Sequence, residues 1–277
     1  METKKRFVAM LDIMGSSKTV EKDPDALGRI MCECKKLIQD YRSSSNVYIS
    51  LFSDSIMVLT KDDKASSFED LVYATAILER MFIQNTFAIN GAISYGDITI
   101  EEGNDFIFYG KPVIDAHKIQ EELLFYGIVI DEKAIENMYS YDEALFCVSL
   151  CGEWSHPDMV IEMMCPCRSK GWQRHYTVNW MDFCVLNKEK SGFATYSDQI
   201  PQMKEYMAKL YKKYVCNDVY GERANFYILN TELILRQWYD FAGEVNGTSK
   251  WGTLLADTFL LQVPRKLYET DSKRLNA

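Results

Sequence analysis

The chain has 277 residues, 31 Lys and Arg against 40 Asp and Glu, a net charge of -9 and 47% hydrophobic residues. This length can bury a large core without disulfides, and the composition excludes disordered and fibrous proteins. The acidic balance argues against nonspecific binding of nucleic acid, so no nucleic-acid partner is expected. No apolar run reaches the roughly 18 to 20 residues of a membrane span, so we expect a cytoplasmic protein with reduced thiols and no membrane partner.

The first part of the sequence combines short apolar runs with amphipathic patterns. Residues 6–13 are mostly apolar and predict a buried strand. After Arg6, Asp12 is the one charged residue in this strand. Apolar residues spaced three and four apart predict helices over residues 24–41 and 66–86. Between these helices, the sequence predicts a tight hairpin of residues 47–60 with Asp54 at its tip.

The same kind of pattern continues to residue 131. Residues 87–100 predict a buried strand in which Gly91 and Gly96 admit close approach by another backbone or a ligand. Further predicted elements are strands at residues 106–109 and 128–130 and a helix that starts at Gly110-Lys111-Pro112. This order predicts an α+β fold, a ferredoxin-like sandwich with a βαββαβ core, which we assign to residues 1–150.

The remaining residues, 151–277, form a predicted C-terminal extension that differs from the first part in its aromatic-rich helices. Its predicted elements are strands at residues 159–164 and 175–183 and helices, rich in Tyr and Trp, at residues 201–215, 223–241 and 251–263. No low-complexity linker separates the two parts. We therefore expect the extension to pack on the first domain or on a second subunit.

Asp12 and Asp54 are the two carboxylates with the clearest chemical interest. A carboxylate inside an apolar strand is costly unless a partner or a cation neutralises it. The end of the first strand and the tip of the hairpin can lie at the same sheet edge, where both carboxylates would converge. The alternative is that Asp54 is an ordinary turn residue and Asp12 a helix cap at the strand end.

Four segments occur in the order and at the spacings of a class III nucleotidyl cyclase domain. They are FVAMLDIMG (Phe7 to Gly15), FSDSI (Phe52 to Ile56), NGAISYG (Asn90 to Gly96) and YGKPV (Tyr109 to Val113). The set most resembles the pyrimidine nucleotide cyclases of Pycsar anti-phage systems, over residues 5 to about 131. The resemblance implies that residues 1–150 are the catalytic domain.

The resemblance also implies a metal site. In that family, two divalent cations, Mn²⁺ or Mg²⁺, lie between residues that correspond to Asp12, Asp54 and the backbone carbonyl of Ile13. Two such cations activate the attacking oxygen and stabilise the leaving oxygen in an in-line displacement. The residues that follow would offer backbone N–H groups to the triphosphate. They are Met14, Gly15, Ser16 and Ser17.

The positions that correspond to base readers depart from the purine cyclases. Tyr48 stands where an adenylate cyclase has a Lys, and Ile107 stands where it has an Asp. An aromatic side chain can fill the space that a smaller pyrimidine leaves, stack on it or donate one hydrogen bond. The alternative for Tyr48 is a plain strand aromatic.

The family's transition-state Asn and Arg correspond to Ile114 and Lys118. Lys118 can supply a point charge to phosphate but lacks the bidentate geometry of Arg. A solvated helix Lys is the alternative. Asn90 occupies a position where relatives often carry Arg. Other candidate cations for the triphosphate, which the sequence does not rank, are Arg168, Lys170 and Arg174.

Sites of this class form between two subunits, so one such unit per chain implies a homodimer with shared active sites. The resemblance implies a uridylate cyclase that converts UTP to 3',5'-cyclic UMP and pyrophosphate for anti-phage defence, with a separate cyclic-nucleotide-activated effector protein. The alternatives are a cytidylate cyclase that uses CTP, and a catalytically impaired cyclase fold that senses nucleotides.

Overall fold

The computed structural model describes residues 2–44, 46–101, 107–137, 160–180, 196–214 and 224–235. The strands are β1 (Glu2–Met14), β2 (Val47–Phe52), β3 (Ser55–Thr60), β4 (Ala88–Glu101), β5 (Ile107–Gly110), β6 (Gly127–Ile130), β7 (Val160–Cys167) and β8 (Gly171–Val178). The helices are α1 (Ser16–Lys22), α2 (Pro24–Ser44), α3 (Ala65–Gln84), α4 (Lys111–Glu122), α5 (132–137), α6 (Tyr196–Tyr214) and α7 (224–235).

One mixed sheet contains all eight described strands. The strand order is β2-β3-β1-β4-β6-β8-β7, and β5 pairs with β4 outside this path. The β4–β6 pair is parallel and the other pairs are antiparallel. The predicted α+β fold with its βαββαβ core is confirmed, because β1, α2, the β2–β3 hairpin, α3 and β4 follow in that order, with the short α1 before α2.

Strand β1 lies inside the sheet, between β3 and β4, and supplies much of its core. Phe7, Leu11 and Ile13 are at most 1% exposed, and full burial of each such side chain contributes roughly 1.5–3 kcal/mol. Close contact between β1 and β4 requires Gly91, because a Cβ there would lie 2.5 Å from the backbone oxygen of Met10. The close approach predicted for Gly91 is thus to a neighbouring backbone.

Helices cover the two faces of the sheet to different extents. The Phe7 ring lies 4.9 Å from that of Phe68 on α3, whereas Val8 belongs to a cluster against which Val113 of α4 packs. Since side chains alternate along a strand, Asp12 lies on the α4 face with Val8. Asp12 is half-buried, as are its same-face neighbours Met10 and Met14, so this face is partly open at the end of β1.

Several element boundaries differ from the prediction. Strand β8 begins at Gly171 rather than at residue 175. A short turn connects β7 to β8, and the pairing of the two strands begins directly after it, with Cys167 opposite Gly171. Helix α6 begins at Tyr196, five residues before the predicted start. Helix α1 was not predicted, because seven residues are too few to show an apolar period. The predicted domain boundary at residue 150 and the predicted helix at 251–263 lie outside the described residues.

The chain divides into two compact units, Met1–Glu232 and Leu233–Ala277. The sheet and the candidate site belong to the first unit. In the second unit, residues 233–235 are described and are helical. Among the described residues, no helix has both the length and the apolar character needed to cross a membrane.

Candidate active site

Asp12 and Asp54 lie together at the end of β1. Asp12 pairs with Ser55 across the β1–β3 ladder, and the Ile13 backbone N–H donates to the Asp54 carbonyl at 2.8 Å. Ser53 adopts a φ of 54° in the hairpin turn. Both aspartates line one cavity of about 360 Å³. The structure therefore brings together the two carboxylates that the sequence singled out.

The two carboxylates influence each other electrostatically. Burial, followed by the nearby charge of Asp54, raises the pKa of Asp12 from 3.8 to about 6, and His117 on α4 acts in the opposite direction. Like charges held close together in a partly desolvated site favour uptake of a proton or a cation. A divalent cation would relieve this repulsion.

The turn that follows β1 forms a second wall of the cavity. Gly15 has a φ of 71°, a conformation that glycine adopts without steric cost. This bend leads into α1, and the Ser16 hydroxyl donates a 2.6 Å hydrogen bond to Oδ2 of Asp54. All four turn residues predicted to bind the triphosphate line the cavity: Met14, Gly15, Ser16 and Ser17.

Three tyrosines form the remaining wall together with Ala224. Tyr126 precedes β6, whereas Tyr214 ends α6 and Tyr227 lies in α7. The Tyr126 ring lies 6.3 Å from the Tyr214 ring and 5.5 Å from the Tyr227 ring. Tyr214 and Tyr227 belong to the aromatic-rich extension that the sequence indicated, whereas Tyr126 belongs to the first domain. No local pattern linked any of the three to Asp12.

The predicted base readers lie elsewhere on the chain. Tyr48 on β2 pairs with Leu59 on β3, and Leu59 pairs with Val8 on β1. Tyr48 is therefore level with Val8, which precedes Asp12 by four residues along β1, a distance of about 13 Å at 3.3 Å per residue. Tyr48 packs against the cluster that contains Val8 and Leu59, and the Lys61 ammonium lies 5.5 Å from its ring centroid. Ile107 begins β5, where it pairs with Glu101 of β4.

The predicted catalytic Lys118 lines a different cavity, of about 390 Å³, between α4 and the β7–β8 hairpin. Lys170 and Arg174 line the same cavity, and it shares no lining residue with the aspartate cavity. The Arg168 backbone N–H donates to the Glu122 carbonyl at 2.8 Å. Within one chain, the structure therefore does not bring Lys118 to Asp12. Asn90 is buried beside Asp12 in the ladder and accepts a hydrogen bond from Gln120.

The donors that line the aspartate cavity fit a hard divalent cation. Two carboxylates are present, and Ile13 lines the same space. Oxygen donors of this kind suit Mg²⁺ and Mn²⁺. Burial is the larger cause of the raised pKa of Asp12 and the charge of Asp54 the smaller one, and a cation beside both carboxylates would favour the charged form of Asp12.

No protein-family model matches the sequence, and no curated protein matches it. Solved structures of similar fold include a bacterial light-regulated adenylyl cyclase, at 14% identity and a TM-score of 0.44 over 73% of this chain and 99% of that chain. The guanylate cyclase domain of RhGC from Catenaria anguillulae in complex with GTP is 14% identical, with a TM-score of 0.41 over 64% and 98%. The adenylyl cyclase CyaB from P. aeruginosa is 14% identical, with a TM-score of 0.40 over 64% and 95%. At these identities the likeness concerns the fold alone.

Proposed function

We propose that the protein is a nucleotidyl cyclase that converts UTP to 3',5'-cyclic UMP and pyrophosphate. The observation that carries this proposal is the convergence of Asp12 and Asp54 with the Met14–Ser17 turn in one cavity. Two acidic side chains can hold cations, and a tight turn beside them can place backbone N–H groups near phosphate. This combination suits a nucleoside triphosphate.

Asp12, Asp54 and the Ile13 carbonyl would hold the divalent cations. When bound, these cations lower the pKa of the ribose 3'-hydroxyl and stabilise the charge on the leaving oxygen. In the reaction, the 3'-oxygen bonds to the α-phosphorus, the bond to pyrophosphate breaks, and the hydroxyl proton passes to solvent. Ser16 orients the Asp54 carboxylate through its 2.6 Å hydrogen bond.

The active site is proposed to be shared between two subunits. Tyr48 and Lys118 lie outside the aspartate cavity of their own chain, so they would serve the cavity of a partner. Several large apolar residues are exposed on the surface and could contribute to a dimer interface. They include Phe52, Tyr109 and Ile114, which are 80%, 55% and 55% exposed.

Pyrimidine selectivity is proposed from Tyr48 and Ile107, which replace polar purine readers. Tyr48 has one hydroxyl that both donates and accepts, so it cannot by itself separate uracil from cytosine. The preference for UTP over CTP, the defence role and the separate cyclic-nucleotide-activated effector protein rest on the sequence resemblance. A cytidylate cyclase is therefore the alternative within the same enzyme class.

A nucleotide sensor is the alternative from another class. Its support is the outer surface of α4, where Ile114 is exposed in place of a transition-state Asn. A chain that keeps the cation and triphosphate donors but lacks this side chain would bind nucleotide without cyclising it.

Asp54→Asn tests the proposed function. We expect it to abolish cyclic nucleotide formation with Mn²⁺ while the circular dichroism spectrum is preserved, because Asp54 lies in a turn outside the core. Asp97→Asn is the matched control, since Asp97 is an exposed carboxylate on the same sheet. Wild-type turnover in Asp54→Asn at saturating metal would exclude the cation-binding role. Triphosphate binding by an inactive wild-type protein would favour the sensor.

A further inference from the structure

Helix α6, which belongs to the C-terminal extension, is attached to α3 by polar contacts. Arg80 Nη2 donates to Oε1 of Gln202 at 2.9 Å, and Gln84 Nε2 donates to the Tyr206 hydroxyl at 3.2 Å. The Arg80 guanidinium also lies 5.7 Å from the Tyr206 ring centroid. These contacts fix the path of α6 along α3.

The last turn of α6 contacts the turn between α3 and β4. The Lys213 ammonium donates to the Thr86 carbonyl at 2.8 Å and lies 3.5 Å from the Phe87 ring centroid. An ammonium held both by a carbonyl and by an aromatic face is well positioned. Lys213 thereby places the next residue, Tyr214, at the start of β4.

The Tyr214 hydroxyl connects β1 and β4 at the end of their ladder. It donates to the Met14 carbonyl at 3.1 Å and accepts from the Ala88 N–H at 3.2 Å. Met14 and Ala88 are the last register pair of the two strands. The Tyr214 side chain is only 1% exposed, so loss of the hydroxyl would leave these two backbone groups without that partner.

Met14 is the residue through which Tyr214 can act on the site. It follows Asp12 and Ile13 directly and precedes Gly15, whose φ of 71° starts the turn into α1. A hydrogen bond to the Met14 carbonyl therefore restrains the exit of the chain from β1. The turn held in this way carries Ser16, which in turn holds Asp54.

We propose that Tyr214 is a positioning residue of the active site, through which the C-terminal extension orders the Met14–Ser17 turn and, through Ser16, the Asp54 carboxylate. This inference rests on the proposed function, because it assigns the turn a ligand. Tyr227 supports the same wall, since its hydroxyl donates to the Leu123 carbonyl at 2.8 Å while its ring packs on Tyr126. The extension thus contributes positioning residues to the proposed active site.

Tyr214→Phe, which keeps the ring and removes the hydroxyl, tests the inference. We expect Mn²⁺ binding, measured by electron paramagnetic resonance, to weaken about tenfold, as for other groups that orient metal ligands. We expect kcat to fall by a similar factor and KM for the triphosphate to rise, because the turn that Tyr214 holds is also the proposed triphosphate site. Amide hydrogen exchange at residues 15–17 should become faster. Tyr211→Phe is the control, because Tyr211 is exposed on the same helix.

Wild-type Mn²⁺ affinity and wild-type exchange at residues 15–17 in folded Tyr214→Phe would overturn the inference. If Tyr214→Phe does not fold, Lys213→Met takes its place, because it loosens the same turn of α6; unchanged exchange at residues 15–17 would again overturn the inference. A wild-type protein that binds no Mn²⁺ contradicts the proposed function instead. The exchange measurement then decides alone whether Tyr214 positions the turn.

Discussion

The Ser16 hydroxyl lies 2.6 Å from Oδ2 of Asp54 and donates a hydrogen bond to it. This contact joins the turn after β1 to the tip of the β2–β3 hairpin, two parts of the chain 38 residues apart. A charge-assisted hydrogen bond of this length fixes the orientation of the carboxylate. Ser16 is itself buried.

Ser16→Ala should lower cyclase turnover about tenfold or more, because Asp54 loses the group that orients it. The loss should be partly recovered at high Mn²⁺ concentration, since the carboxylate itself remains. Turnover measured across a Mn²⁺ titration checks this expectation. Ser66→Ala is the control, because Ser66 is exposed at the start of α3. Equal Mn²⁺ dependence in wild type and Ser16→Ala would show that the hydrogen bond is dispensable.

Asp12 should make the metal-free protein less stable as pH rises. Its pKa is raised to about 6 in the folded protein from 3.8, so the folded state holds the proton more tightly than the unfolded chain. Its stabilising contribution is therefore complete below about pH 4 and is lost as pH rises through about 6. Asp12→Asn removes this dependence and should melt at a higher temperature than wild type at neutral pH.

Thermal melting in a chelator, from about pH 4 to about pH 8, measures the effect of Asp12. The difference in Tm between Asp12→Asn and wild type should be largest at the alkaline end of this range and smallest at the acid end. Addition of Mn²⁺ should raise the Tm of wild type and leave that of Asp12→Asn nearly unchanged. A Tm difference that does not vary with pH would contradict the raised pKa.

Glu79 is fully buried in α3, and neither carboxyl oxygen has a hydrogen-bond partner among the described residues. Burial raises its pKa well above the usual value. The folded protein therefore holds this proton more tightly than the unfolded chain does, and its free energy of unfolding decreases as pH rises through the pKa of the folded state. Glu79→Gln, which resembles the protonated acid in shape, should flatten the alkaline decline of Tm. An alkaline decline as steep as that of wild type would indicate that Glu79 finds a partner.

Mixing two inactive variants tests the shared site. Asp12→Ala should damage the proposed cation site and Tyr48→Ala the proposed base site, so a mixed dimer would have one intact and one doubly damaged site. Random exchange of subunits should restore about a quarter of the wild-type activity. Native mass spectrometry confirms that mixed dimers form. Absence of activity in a sample that contains them would count against a site made by two subunits.

Local sequence signals predicted the β1 strand, the hairpin and both aspartates, because apolar runs and a tight turn are short-range features. Tyr214 could not be found in this way, since it reaches Met14 across 200 residues. The short α1 also escaped prediction. Lys118 shows the opposite limit, because the sequence motif predicted a catalytic role for a residue that, within one chain, lines a different cavity from Asp12.

The most direct test of the central proposal is product identification by mass spectrometry. The pure protein is incubated with Mn²⁺ and each nucleoside triphosphate separately, and then with equimolar UTP and CTP in competition. We expect cyclic UMP as the dominant product, and Asp54→Asn should form none. Dominant cyclic CMP would replace the uridylate assignment with a cytidylate cyclase. Dominant cyclic AMP or cyclic GMP, or no cyclic product from any triphosphate, would contradict the proposal.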